Sequence, residues 1–304
     1  MHTLPPSVAT IGNFDGVHLG HQKIFQQLHQ RAVSSKLKTM ALFFEPQARE
    51  FFEGARAPFR LYTWREKFEK IRSLKLDTAV LLPFNQRISS LKPMEFLHRV
   101  FKPLHIQHLS VGDDFRFGAE RSGSYADLEE WGSQNQVSVE QIGCIDIDNE
   151  RVSSTRIRAL LTQGQLPEAA RLLGSAWHYS GRVISGRKLG RQLGFPTANI
   201  RLPANRLPVS GTYAVRVQIQ GDAEHHPVDN RMYSGVANAG VRPTFNGVKP
   251  LLEVHLLAFE GDLYRRRLRV SFIEKLRAEQ KFENVEQLKQ QIAHDVTRAR
   301  GILH

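Results

Sequence analysis

Two hydrophobic rhythms divide this 304-residue chain, and no single layer of secondary structure accommodates both. Up to about residue 160, short apolar runs alternate with segments whose apolar residues recur at helical spacing. Val8 to Ile11, Met40 to Phe44, Thr78 to Leu82 and His108 to Val111 read as buried strands, and Val137 to Ile147 as further strand. Between them, Ile24, Phe25, Leu28 and Ala32 share one helical face, as do Trp64, Phe68 and Ile71; Pro93 to Val100 is a third helical stretch. Such alternation predicts an α/β unit: a parallel sheet with helices on both faces. Leu166 to Leu173 reads as a short linking helix, and then the rhythm changes. His178 to Ile184, Gly211 to Ile219, Met232 to Val236, Leu251 to Phe259 and Leu268 to Phe272 are strands parted by Gly, Pro and Asn. No helix intervenes before Val285, which predicts a small barrel or sandwich. The last helix should run to about Arg300, capped by Asn284 and buried along Leu288, Ile292 and Val296. The predicted organisation is one domain over 1–165, a linker over 166–176 and a second domain over 177–304.

The first rhythm contains TIGNFDGVHLGH, Thr10 to His21. A strand runs into a loop at Gly12 and Gly16, then His18 and His21 flank Gly20 where a helix begins. A helix start presents unpaired N–H groups and the positive end of its dipole, so it attracts phosphate. Two imidazoles three residues apart can donate to one phosphoryl group. VSSTRIR, Val152 to Arg158, again puts hydroxyls at a helix start. The surplus of Ser154, Thr155, Arg156 and Arg158 over a plain cap suits the phosphates of a nucleotide. GDDFRFG, Gly112 to Gly118, sets two phenylalanines beside two acids, either as core filling or as a wall for a flat ring.

The second rhythm holds a basic glycine loop, Gly181 to Gly194, followed by PTAN, Pro196 to Asn199. A threonine hydroxyl and an asparagine carbonyl are hard oxygen ligands suited to Mg²⁺ carried by ATP. In the strand at Leu251, Leu252, Val254, Leu256 and Ala258 share one face, and Glu253 and His255 point the other way. Glu253 is either a solvent-facing charge or a base for a hydroxyl. No G-x-x-x-x-G-K-[ST] occurs, which excludes a P-loop kinase.

Net charge is +12, spread along the chain; the densest clusters are Arg187-Lys188-Arg191 and Arg265-Arg266-Arg267-Arg269. The second cluster reads as a solvated edge strand. The single cysteine, Cys144, excludes an internal disulfide and a cysteine zinc cluster, and reads as a small buried residue. No run of 18 apolar residues and no signal-peptide pattern occurs, so the expectation is a soluble cytoplasmic protein.

Nine motifs now stand in one order: GNFDGVHLGH, FFEPQAREFF, VGDDFRFG, VSSTRIR, GRKLGRQLGFPTAN, GTYAV, NAGVRPTF, LLEVHLLAFEGDLY and KFENVEQLKQQI. Together they resemble, nearly from end to end, the prokaryotic bifunctional riboflavin kinase/FMN adenylyltransferase (FAD synthetase) family. The resemblance implies a Rossmann-like nucleotidyltransferase domain, then a small antiparallel β-barrel with a terminal helix. It implies Mg²⁺, with ATP, riboflavin and FMN as substrates and FAD as product. In the barrel half Glu253 would be the general base. Thr197 and Asn199 would hold the metal, Gly186, Lys188 and Gly190 the nucleotide, and Phe195 the flavin. In the α/β half, His18 and His21 would stabilise the reacting phosphate. Gly12, Asn13, Phe14, Asp15, Gly16 and Gly20 would form its loop, and Ser154, Thr155 and Arg158 would hold the leaving pyrophosphate. Asp113, Asp114, Phe115 and Phe117 would lie near the flavin. Three residues depart from the family's habit: Ala48 replaces a frequent second proline, Asp114 an asparagine of some members, and Arg265 a frequent glycine. Expected partners are small molecules alone, without nucleic acid or membrane, in a monomer or weak homo-oligomer. The rival readings are another nucleotidyltransferase, such as a cytidylyltransferase, fused to a β-binding module, a basic nucleic-acid-binding protein, and a chain with one inactive half.

Overall fold

A computed structural model describes residues 4–143, 145–186, 189–202, 208–221, 231–244 and 247–304. Cys144, Arg187 and Lys188 lie outside the described residues. The chain forms two compact units, Met1–Ser154 and Thr155–His304.

In the first unit β1 (Ser7–Ile11), β2 (Lys38–Glu45), β3 (Thr78–Pro83), β4 (Ile106–Gly112) and β5 (Ser138–Ile142) make one parallel sheet. Its order is β3-β2-β1-β4-β5. All five residues of β1 are buried, as a central strand covered on both faces requires. Connecting helices are α1 (Leu19–Ser35), α2 (Ala48–Glu53), α3 (Trp64–Ser73), α4 (Gln86–Ser89), α5 (Pro93–Phe96) and α6 (Tyr125–Asn135). A hairpin of β6 (Asp146–Ile147) and β7 (Glu150–Arg151) ends the unit. The order reverses between β1 and β4, and ligands in such sheets bind beyond the strand ends at that crevice. The loops Gly12–His18 and Asp113–Gly118 leave those two strand ends.

Two sequence expectations fail in this unit, and a third holds with a change of pitch. The face of α3 that is buried carries Glu66, Lys67 and Ile71, whereas Trp64 and Phe68 are exposed. Apolar spacing picked out the wrong face because the core side of this helix holds charges that pair internally. Thr78 to Leu82 is not a fully buried strand: β3 lies at the sheet edge and Leu81 is half exposed. Beyond Phe96 the Pro93 helix widens into a π-turn, Leu97–Phe101, so its period drifts from 3.6 residues.

In the second unit α7 (Ser154–Gln163) and α8 (Leu166–Leu173) precede a closed barrel, and α8 packs on its last strand. The barrel comprises β8 (His178–Ile184), β9 (Ala198–Arg201), β10 (Gly211–Gln220), β11 (Met232–Thr244), β12 (Gly247–Leu256) and β13 (Arg267–Arg277), with α9 (Leu189–Gln192) between β8 and β9. The order β10-β11-β12-β9-β8-β13 closes through β13 and β10. The Arg267 cluster is therefore no edge: β13 pairs on both sides, and Arg267 donates to Gln220 and to the Ser180 carbonyl. Tyr213, Val215, Val217, Leu252, Val254 and Phe272 are buried in the barrel. α10 (Val285–Ile302) closes on Ala214, Val236 and Leu276 through Val296 and Ala299. Asn284 caps it by accepting from Gln287 N at 2.9 Å. Ala258 does not continue the buried face of β12. It lies past the strand in a turn with φ 53°, and Leu257 is buried instead.

Candidate functional sites

In the first unit the loop after β1 is held from inside. Phe14 packs among Val17, Phe25, Ala41, Phe43 and Ile71. The Asp15 carboxylate, 2% exposed, accepts from Leu61 N at 3.1 Å and Tyr62 N at 3.3 Å. Lys67 Nζ donates to the Asn13 carbonyl at 2.7 Å. Gly16 takes φ 81°, open to glycine without strain, but Phe14 and Val17 also lie in the left-handed region, at 44° and 41°. Conformations of that kind persist only where the surroundings impose them.

This packing sets the start of α1 at the end of the loop, without a side-chain cap. His18 is its N-cap, in extended backbone, with no side-chain cap and no acid in the first turn. The rings of His18 and His21 stack at 3.6 Å between centroids, and Phe14 meets His21 edge-on at 5.3 Å. A Cβ at Gly20 would come within 3.0 Å of the His18 ring, so glycine is what lets that ring lie over the helix start. Burial holds the His21 pKa well below the ordinary histidine value, and the His18 and Lys67 charges push it the same way. His21 is thus a neutral imidazole at neutral pH. Its Nδ1 is shielded, with no hydrogen-bond partner among the described residues.

Two residues after the β6–β7 hairpin's turn join the loops. Arg151 binds Asp113 at 2.9 Å and Asp114 at 3.5 Å, and the Ser154 hydroxyl donates to the Asp15 carbonyl at 2.9 Å. Asp114, one of the departures, thereby has an ionic partner that asparagine would lack. Phe115 and Phe117 stack at 5.7 Å, but Phe117 is 5% exposed and belongs to the core, leaving Phe115 as the accessible ring. Thr155 and Arg158 follow in the first turns of α7, past the end of the first unit. Ala48 opens α2 in place of a proline, and Gln47 and Glu50 form its capping box.

In the second unit, register does the assembling. Thr212, Asn238, Glu253 and Asn199 are successive cross-strand partners on β10, β11, β12 and β9. Alternation buries Leu252 and Val254, so Glu253 stands on the outer face of the barrel with this polar row. The four residues line one cavity of about 320 Å³ together with Gly190, Phe195, Thr197, His255 and Arg277. The Asn199 carbonyl oxygen is shielded, with no hydrogen-bond partner among the described residues. A Cβ at Gly186 would lie 2.3 Å from the Asn199 amide, and one at Gly190 would lie 2.4 Å from the Phe195 carbonyl and 3.2 Å from the Thr197 hydroxyl, so both glycines permit close approach to the Phe195–Asn199 segment. His255 donates from Nδ1 to the Pro196 carbonyl at 2.8 Å, which requires the Nδ1–H tautomer. Arg277 binds Asp295 of α10 through Nε at 2.9 and 3.2 Å, and Gln291 donates to the same carboxylate at 2.9 Å. Sequence reasoning did not single out Asn238, Thr212, Arg277, Asp295 or Lys67. Asn238 sits in NAGVRPTF and Thr212 in GTYAV, motifs whose residues had no assigned role.

Among the described residues no three His, Cys, Asp or Glu side chains converge as a metal site, and no helix is long and apolar enough to cross a membrane. The family model for FAD synthetase matches residues 1–156, and that for riboflavin kinase matches residues 173–303. A bifunctional riboflavin kinase/FMN adenylyltransferase of Pseudomonas fluorescens is 46% identical over 99% of this chain and 96% of its own. Proteins of the same description from Haemophilus influenzae and Escherichia coli K12 are each 40% identical, over 97% and 96% of this chain and 94% and 91% of theirs. A crystal structure from Streptococcus pneumoniae described as a macrolide-efflux protein superposes with a TM-score of 0.82 at 27% identity, over 97% of this chain and 94% of that one. Two matched models in series, with relatives aligned across both, leave no room for a cytidylyltransferase with an added binding module: the chain belongs to the bifunctional riboflavin kinase/FMN adenylyltransferase family.

Proposed function

We propose that the two activities of the family are divided between the two polar sites described above. The adenylyltransferase half is residues 1–165 and the kinase half 177–304, joined by 166–176. The later functional boundary, beyond the compact-unit boundary at Ser154, keeps Thr155 and Arg158 with the first chemistry.

In the kinase half, Glu253 takes the proton from the 5′-hydroxyl of riboflavin as that oxygen attacks the γ-phosphorus of ATP, giving FMN and ADP. The observation that carries this reading is the polar row Thr212–Asn238–Glu253–Asn199 lining one cavity beside Thr197. Thr197 and the unpartnered carbonyl oxygen of Asn199 fit a hard cation and are the proposed ligands of Mg²⁺. Bound there with ATP, Mg²⁺ would neutralise phosphate charge. Gly186 and Gly190 flank the nucleotide, with Lys188 in the same loop outside the described residues, and Phe195 borders the flavin.

In the adenylyltransferase half, a phosphate oxygen of FMN attacks the α-phosphorus of a second ATP. The bond to the β-phosphate breaks, giving FAD and pyrophosphate. His18 and His21 donate to the α-phosphate as its charge grows. Backbone N–H groups of the Gly12–Gly20 segment receive the phosphates. Ser154, Thr155 and Arg158 hold the pyrophosphate. Asp113, Asp114 and Phe115 border the flavin, with Phe117 supporting Phe115 from the core. Small molecules are the proposed partners, with no nucleic acid or membrane, in a cytoplasmic monomer or weak homo-oligomer.

The test is product analysis. Riboflavin with ATP and Mg²⁺ should yield FMN and then FAD on chromatography, and FMN with ATP should yield FAD and pyrophosphate directly. Appearance of FMN alone, or FAD only without an FMN intermediate, would overturn the division.

A further inference from the structure

Lys67 is buried and has no part in the chemistry above. It is 0% exposed, on the same face of α3 as Ile71, while Trp64 and Phe68 of that helix stand in solvent. A buried ammonium is costly unless it is bonded and paired, and a methionine would fill the same space without that cost. The Lys67 Nζ donates to the Asn13 carbonyl at 2.7 Å and lies 5.2 Å from the centre of the Phe43 ring. The charged groups around it come from every neighbouring element: Asp15 from the loop, Glu45 from the end of β2, Glu50 from α2, and Arg60, which pairs with both glutamates. The His21 ring at the start of α1 feels its charge, and His18 stacks on that ring. Glu66, its neighbour on α3, is occupied by the Thr63 cap.

We propose that Lys67 is a positioning residue for adenylyl transfer: its sealed ammonium holds the Asn13 carbonyl inward, so the loop's N–H groups face the phosphates, and it places a fixed positive charge behind His21. This rests on assigning adenylyl transfer to the His18–His21 site. Asn13 directly precedes Phe14, whose left-handed backbone needs an outside restraint, and the Lys67 bond is one. A cation set in the protein interior loses little to solvent, so its field reaches the incoming triphosphate and disfavours a proton on His21. Burial lowers the Lys67 pKa, and the Asp15, Glu45 and Glu50 charges oppose that shift.

The experiment compares Lys67→Met, which fills the space without charge, with Lys67→Gln, which keeps a donor for Asn13 without charge, and Lys67→Arg, which keeps the charge. Each full-length variant is assayed for FAD formation from supplied FMN and for FMN formation from riboflavin, and the His21 imidazole is titrated by NMR. The Met variant should lose about tenfold or more in kcat for FAD formation. The Gln variant should lose less, and FMN formation should be unchanged in both. The His21 titration should move to higher pH in Met and Gln and stay in Arg. If the Met variant fails to fold, the Gln and Arg pair decides. Parental FAD formation with an unmoved His21 titration in the Gln variant overturns the proposal. His21→Ala is run alongside: if it still makes FAD normally, the site assignment falls and this proposal with it. If His21→Ala is crippled while the Lys67 variants are normal, the proposal alone falls.

Discussion

On the assignment proposed above, the two sites hold the phosphates of ATP with opposite materials. In the first unit the anion meets backbone: the bare start of α1, set up by a loop whose Phe14, Asp15 and Asn13 carbonyl all turn inward. In the second it meets side chains: Thr212, Asn238, Glu253 and Asn199, lined up by strand register on the outside of a barrel. A helix start is a fixed dipole, so its binding strength depends on what packs beneath it. A row of strand side chains depends on pairing, since a slip of one residue in any of the four strands would turn its member of the row into the barrel. The first site should therefore be sensitive to buried residues distant from the phosphate, and the second to the groups that touch it.

The largest effect should fall on the side-chain site. Glu253→Gln keeps shape and removes the base, and FMN formation should drop by about 10²–10⁴-fold. FAD formation from supplied FMN should persist; parallel loss of both would break the division between the units. Next, His21→Ala should lower FAD formation by about 10²–10³-fold and spare FMN formation, measured in the same chromatographic assay. Asp295→Ala probes what holds the barrel site together. It strips a 2%-exposed carboxylate from Arg277, which lines the cavity, and should cost about 3 kcal/mol by chemical denaturation. A melting curve like the parent's would show that α10 is not anchored through this pair.

A smaller effect separates the units by pH. His21 and His108 are both held below the ordinary histidine pKa, first by burial. Below about pH 6.5 the unfolded chain takes up protons that these folded imidazoles refuse, so the unfolded state binds more protons and stability falls as pH drops. Hydrogen exchange of the full chain at about pH 7.5 and pH 5.5 should show the loss in the first unit. Equal loss in both units would remove the contrast. Least of all, Arg265 holds φ 62°, a conformation natural to glycine, so Arg265→Gly should stabilise by about 1 kcal/mol in a thermal melt.

The fold class was legible because burial on both faces and burial on one leave different periods. The unbroken apolar run of β1 and the alternation Leu252, Glu253, Val254 announced a parallel sheet and an all-β unit, barrel or sandwich. The place of the loop was legible too: the glycines and histidines after β1 do lead into the start of α1. Legibility failed where pairing replaced hydrophobicity. α3 buries Lys67 and Glu66 and exposes Trp64 and Phe68, because internal bonds to Asn13 and Thr63 make charges acceptable inside. β13 was mistaken for an edge because barrel closure joins strands far apart in the chain.

The amino-acid sequence by itself determined the two-part architecture, because that rests on local spacing; it also pointed to the helix start after β1 and to Glu253, the residues on which the proposed chemistry rests. Only the tertiary structure decided that Asn238 and Thr212 stand in line with Glu253, that Arg151 and Ser154 tie the β4 and β1 loops together, and that a sealed lysine bonds the Asn13 carbonyl of the β1 loop. Those are contacts between residues tens to more than a hundred positions apart, and only strand register and packing, not sequence spacing, bring them within bonding distance.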